Sequence, residues 1–263
     1  MRGAWILFRR ELAGLFLSPL AWVLLLVSLL VNGAFFYLYL SATEGDVTYS
    51  LQLASGLGTS FWALLVVLPP LLAMRLVSEE SRTGTLEYLL TAPVSDTSVV
   101  AGKFLAATTF MALLLLSVPL YGAGIHLLGV RPDWGALVGG YVGSVLAAAL
   151  FVAIGMLAST ATSTPLLAAF LGFVACSVWL TLPLLANLIT SQLGSLLAPW
   201  PEAVELLETY SRTVFEQMNV AGHLQRSFMR GVFDTSELVF FGSWVLFFLF
   251  LTVRVLEMRR WRG

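Results

Sequence analysis

Apolar residues run in six long blocks, at 20–40, 59–77, 104–128, 135–158, 165–189 and 237–256, and none of these blocks carries a charged side chain near its middle. A helix rising 1.5 Å per residue needs about 20 apolar residues to cross a hydrocarbon core of roughly 30 Å. The pattern therefore predicts an all-α membrane protein of six transmembrane helices in one domain, 1–263. Polar residues gather in the intervals. The first, 1–19, mixes Arg9, Arg10 and Glu11 with apolar positions and predicts an amphipathic helix along the membrane surface. A cleaved signal peptide would also begin with basic residues. Here, however, Glu11 and Pro19 interrupt the stretch, and the apolar block that follows exceeds the roughly 7–15 residues of a signal core, which favours a retained anchor.

Composition agrees with this pattern. Hydrophobic residues make up 59% of the chain and charged residues 11%, with mean hydropathy +0.90, whereas soluble domains carry about 25% charged residues. A net charge of -1 supplies no basic field for nucleic acid. The single cysteine, Cys176, lies in an apolar block and builds neither a disulfide framework nor a thiolate metal site.

The basic residues orient the chain. Arg2, Arg9, Arg10, Arg75, Arg82, Lys103, Arg254, Arg259, Arg260 and Arg262 flank the termini or the second-to-third connection, leaving only Arg131, Arg212, Arg226 and Arg230 elsewhere. Positive charge favours the cytoplasmic side. Both termini and the 78–103 segment are thus expected inside, in a cytoplasmic (inner) membrane of bacterial type, and the 41–58, 129–134 and 190–236 loops outside.

Several features speak to packing. Gly135, Gly139, Gly143 and Ala147 lay a small-residue stripe along the fourth span, predicting close approach of another helix backbone. Pro69-Pro70 and Pro119 remove backbone donors and predict bends or local unwinding. Ser163-Thr164-Pro165 reads as a cap followed by proline at the first turn of the fifth span. Asn32 and Asn187 are polar residues in apolar spans, read as interhelical hydrogen bonds or as points on a cargo pathway.

The 78–103 segment is punctuated. After an acidic-basic run, Leu86, Leu89, Leu90 and Pro93 or Val94 share one face of a short helix, with Gly84 or Thr85 at its cap, Glu87 in its first turn and Pro93 at its end. Ser95, Asp96 and Thr97 then start another helix. A short amphipathic helix between tight breaks suits docking into a groove of a soluble partner, or lying flat among lipid headgroups; periodicity allows both.

The stretch "RLVSEESRTGTLEYLLTAPVSDTSVVAGKFLA" resembles the cytoplasmic signature of type-2 ABC transporter permeases. The ending "RGVFDTSELVFFGSWVLFFLFLTVRVLEMRRW" resembles the gliding-motility-associated and nitrous-oxide-reductase-maturation members most. The likeness extends over nearly the whole chain, from the "FRRELAGLFLSP" start through the six spans. It implies a permease that dimerises with a second copy or a paralogue and seats a coupling helix on a cytosolic ABC ATPase subunit. Glu79, Glu80, Arg82, Gly84, Thr85, Leu86, Glu87, Leu89, Leu90 and Pro93 would form the coupling element, with Arg9, Arg10 and Glu11 beside it on an interfacial helix. Transport, expected outward, would be driven by ATP and magnesium bound to the partner, with no cofactor on this chain. The residues agree on that point. A phosphate-cradling loop needs Gly-x4-Gly-Lys-Ser/Thr, but Gly102-Lys103 is followed by Phe104, and Thr97 stands where the first glycine belongs.

In the 190–236 loop, Ala203, Leu207, Tyr210, Val214 and Met218 align on one face against Glu202, Glu205, Glu208, Arg212 and Glu216. This predicts an amphipathic helix resting on the outer surface or on the dimer mate. The resemblance makes the region part of an external gate, and a structural cap reads equally well. His126 and His223 stand apart and compose no metal ligand set. An intramembrane enzyme would need a nucleophile, base or metal motif, for which only Gly58-Thr59-Ser60 offers a weak start. Two functions remain from different classes. One is a permease for an amphipathic or lipid-like cargo, favoured by the lack of charged residues in the spans. The other is a membrane scaffold through which an ATPase works mechanically without substrate flux.

Overall fold

The computed structural model describes residues 2–85, 95–196 and 217–260, with isolated positions at 200, 204, 206, 209 and 215. Of the coupling residues, Leu86, Glu87, Leu89, Leu90 and Pro93 lie outside the described residues. So does most of the amphipathic pattern at 203–218, where only Met218 of the apolar face is described.

Among the described residues every regular element is helical. Helix α1 (Arg2–Leu17) ends two residues before Pro19, which opens α2 (Pro19–Ala42) after Ser18 at a position where a missing N–H costs nothing. A turn through Glu44 and Gly45, both with positive φ, leads to Asp46, which caps α3 (Val47–Gln52) by accepting from the Tyr49 amide at 3.0 Å. A π-type turn (Leu53–Leu57) containing Gly56 at φ 157° feeds α4 (Thr59–Ala73). Next come α5 (Ser78–Thr83), α6 (Asp96–Leu115), α7 (Ser117–Leu127), α8 (Trp134–Ala161) and α9 (Pro165–Leu196). The chain closes with α10 (Val220–Arg226), a 3₁₀ turn (Phe228–Arg230) and α11 (Thr235–Arg260).

Six stretches are long and apolar enough to cross a membrane: α2, α3–α5, α6–α7, α8, α9 and α11. Their burial is uneven. The span of α8 is 78% buried and packs on α4, α6, α9 and α11, whereas that of α11 is 11% buried. Helix α8 is therefore the axis of the bundle. Helices α2, α9 and α11 turn large apolar side chains outward, among them Trp22, Leu26, Phe170, Leu184, Leu246 and Phe250. In water such a surface would be a liability; in a bilayer it is the ordinary outer face.

Proline explains one break. The third span is interrupted at Leu116, between α6 and α7, one turn before Pro119, whose ring nitrogen cannot donate to the preceding turn. Pro69-Pro70 instead lies within α4, where Gly155 of α8 and Gly172 of α9 pack against it; an added Cβ at Gly172 would stand 3.1 Å from Pro70 Cβ.

The glycine stripe of α8 faces something other than a neighbouring span. An added Cβ at Gly139 would collide with the carbonyl oxygen of Phe228, and one at Gly143 with Leu224 and Phe228. Gly231, at φ 72°, lies against the backbone of Gly135, and Ala147 is fully buried. The segment 220–231 thus dips back into the bundle as a plug, wedged between α8 and the π-type turn, where Gly56 makes room for Leu224 and Met229. Gln52 donates to the Met229 carbonyl at 3.4 Å, and Ser144 donates to the Ser55 carbonyl at 2.7 Å.

Candidate functional site

At the end of the bundle where both termini lie, a lysine holds three helices together. Lys103 is 1% exposed, on the first turns of α6, and its ammonium donates to Glu80 Oε1 of α5 at 2.8 Å and to Glu11 Oε1 of α1 at 3.2 Å. Arg10, exposed on α1, donates to the same Glu11 oxygen at 2.8 Å and stands 3.7 Å from Glu80 Oε1. An ammonium taken out of water costs several kcal/mol unless paired, so Lys103 is tolerable here only because two carboxylates converge on it.

The preceding residue explains how α1 gets close enough. An added Cβ at Gly102 would stand 2.8 Å from Leu7 Cβ and 2.9 Å from the Ala4 carbonyl oxygen, so α1 crosses α6 where the side chain is missing. Leu7 is buried in this crossing. The Gly-Lys pair thus works as one device, in which the glycine admits the helix and the lysine pins it.

Other contacts anchor the same joint. Between α4 and α5, Ser159 of α8 accepts from the Val77 and Ser78 amides at 3.2 and 3.1 Å and donates to the Met74 carbonyl at 3.0 Å, satisfying backbone groups freed where the helix breaks. Arg259, near the end of α11, donates to Ser81 Oγ at 2.9 Å. Gly84, at φ 74°, closes α5 as its left-handed C-cap. It ends this helix; the next helix, for which the spacing offers Gly84 or Thr85 as a cap, lies outside the described residues. Arg82 and Thr85 are exposed, the Thr85 hydroxyl lying 2.9 Å from that of Thr83. Arg9 is exposed on α1, and Glu79 pairs loosely with Arg75 at 3.6 Å.

The electrostatics follow from these neighbours. Burial acts to raise the Glu11 carboxyl, but the charge on Lys103 and the hydrogen bonds from Arg10 and Lys103 outweigh it and hold the group below its ordinary value of 4.5. Arg10 is held above its ordinary value, chiefly by its hydrogen bond to Glu11. Glu11 and Arg10 are thus both charged at neutral pH.

The joint gathers Arg10, Glu11 and Glu80, which the sequence placed in one region, and adds Lys103, Ser159 and Arg259, which it did not. A charged residue at the eighth position of a helix that becomes a span was the available signal for Lys103. Asn32 and Asn187 do not meet. Asn32 donates to Ser28 within its own helix at 3.2 Å, and Asn187 is exposed on α9. Ser60 shares a 2.8 Å hydrogen bond with Tyr39, while His126 packs on Trp134 and His223 lies 2.6 Å from Glu237, so neither histidine serves as a base to that serine.

A multi-pass helical bundle with this joint at one end describes a membrane-embedded subunit. The comparison with known families agrees: residues 8–200 match the ABC-2 family transporter protein model, and the chain belongs to that family as a permease subunit of an ABC transporter. No curated protein matches it.

Proposed function

We propose that this permease is driven by ATP, with magnesium, hydrolysed on a separate cytosolic subunit that grips the 78–103 segment. The end bearing the termini then faces the cytoplasm of a bacterial-type inner membrane. The chain works as a dimer with a second copy or a paralogue and exports an amphipathic, lipid-like cargo. The ending at 230–261 supports a place among the gliding-motility-associated type of permease.

The observation that carries this reading is the Lys103 joint. A displacement of the coupling segment reaches α5, and Glu80 passes it through Lys103 to α6 and through Arg10 to α1. Ion pairs suit a transmitting joint because in a low dielectric each pair is strong and ties its helices firmly together. Glu87→Arg is expected to abolish co-purification with the ATPase. Glu80→Gln is expected to leave that binding intact while ATP-dependent flux in proteoliposomes falls about tenfold, a loss of about 1.4 kcal/mol of coupling. Undisturbed binding in the first variant and undisturbed flux in the second would refute the assignment.

A second reading rests on the separation of Asn32, bonded to Ser28 in its own helix, from Asn187, exposed on α9: these two build no common lining for a cargo. On this reading the chain transmits mechanical work to an envelope partner without passing cargo. ATP turnover that depends on the permease but moves no lipid-like probe across the vesicle would favour it.

A further inference from the structure

Beside the Lys103 joint, a cleft of about 320 Å³ opens between the α1–α2 elbow and the end of α4. The elbow contributes Glu11, Gly14, Leu15, Ser18, Leu20 and Ala21, and the other wall runs from Leu72 through Arg75 and Leu76 to Glu79 and Glu80. The elbow also carries Trp22, exposed, with its indole donating to the Phe16 carbonyl at 2.8 Å, and Trp5 is exposed on α1. Indoles with one apolar and one polar end settle at headgroup depth. The cleft therefore opens at the membrane surface on the side of the termini.

Its chemistry is ordered along the chain. Moving outward from the bundle, the wall presents an apolar residue, Leu72, then a guanidinium at Arg75, then carboxylates at Glu79 and Glu80. An aminophospholipid presents the same sequence of complements in the same direction: acyl chain, phosphate, ammonium. The lining holds three carboxylates and two cations, and Arg10 just behind it pairs with Glu11 and stands 3.7 Å from Glu80, so the charges balance and a further net charge of either sign would be unmatched. An additional bare anion is disfavoured by that balance, and a group that brings its own ammonium is favoured. Glu80 Oε2 is buried and meets no donor among the described residues, so the wall has an acceptor in excess. The Arg75–Glu79 pair, at 3.6 Å and nearly half exposed, is of the kind worth about 0–1 kcal/mol, so opening it around a zwitterion costs little. The volume lies at the small end of ligand sites, about 300–1,000 Å³, and suits a headgroup whose chains remain in the bilayer.

We propose that this cleft binds the headgroup of a phospholipid bearing a primary amine, with phosphate against Arg75 and ammonium against Glu79 and Glu80. The site is independent of the direction of transport and of the ATPase partner. A quaternary ammonium has no N–H to donate, which separates ethanolamine from choline lipids.

The test is native mass spectrometry of the full-length protein equilibrated with equal amounts of phosphatidylethanolamine, phosphatidylcholine and phosphatidylglycerol of matched chains. Wild type is expected to retain phosphatidylethanolamine at least about fivefold over the other two. Arg75→Ala and Glu79→Gln are each expected to erase most of that preference, and Arg254→Ala, at the exposed end of α11, to leave it intact. Equal retention of the three lipids by wild type overturns the proposal, whatever the variants do. So does preferential retention of phosphatidylglycerol, or a preference that both cleft variants preserve. Glu79→Gln is nearly isosteric at a partly exposed position, so it tests the site independently of any effect of Arg75→Ala on folding.

Discussion

The two ends of the bundle are held by opposite means. At the end bearing the termini, α1, α5 and α6 meet through a buried ammonium shared by two carboxylates. At the other end, residues 220–231 are wedged by shape, with Leu224, Phe228 and Met229 filling notches left by Gly56, Gly139 and Gly143. Ion pairs are specific about partners yet can exchange them, whereas steric wedging against backbone is all or none. On the proposed function, the first end is the one through which movement would be transmitted.

The largest effect is expected from removing the ammonium. Lys103→Met leaves Glu11 and Glu80 with only the exposed Arg10 near both, and breaking such a buried pair costs about 3–5 kcal/mol. Thermal unfolding in detergent checks this, and a cost below about 1 kcal/mol would mean that the joint is mere decoration of the α1–α6 crossing. Next comes the plug. Gly139→Ala forces the Phe228 carbonyl away from α8, and overpacking of this kind costs about 1–3 kcal/mol. Limited proteolysis near 220–231 should accelerate in that variant while α1 stays protected. If both ends loosen together, the two-mechanism picture fails.

The smallest effect is one of pH. Because the folded Glu11 value is depressed below 4.5, the stability it contributes is whole above that pH and is lost as pH falls through the lowered value. As pH falls below about 4.5, α1 should loosen, whereas the wedging of Leu224 and Phe228 into the glycine notches of α8 is apolar contact, even though His223 of the same segment lies 2.6 Å from Glu237. Acid that releases the plug first would reverse the comparison.

How much of this was legible in the sequence differs between the same two ends. Six spans could be read because hydrocarbon thickness sets a length that apolar blocks must match. The glycine stripe on α8 was visible too, but not its occupant, since small residues announce close approach without saying what approaches. Here it is a loop segment returning from nearly ninety residues later in the chain. Lys103 was legible as a charge and as half of a Gly-Lys pair. Its partners were hidden, because Glu11 and Glu80 lie 92 and 23 residues away and only the crossing of α1 over Gly102 brings them together. Asn32 misled for a related reason: a polar residue in a span can satisfy itself one turn away, as it does on Ser28.

Amide hydrogen exchange along α1 in Lys103→Met against wild type tests the central claim most directly. The account predicts that α1 exchanges roughly 100-fold faster or more, the factor matching about 3 kcal/mol, while α8 and the plug exchange as before. Unchanged protection of α1 would contradict it, because the crossing over Gly102 would then hold without the ammonium.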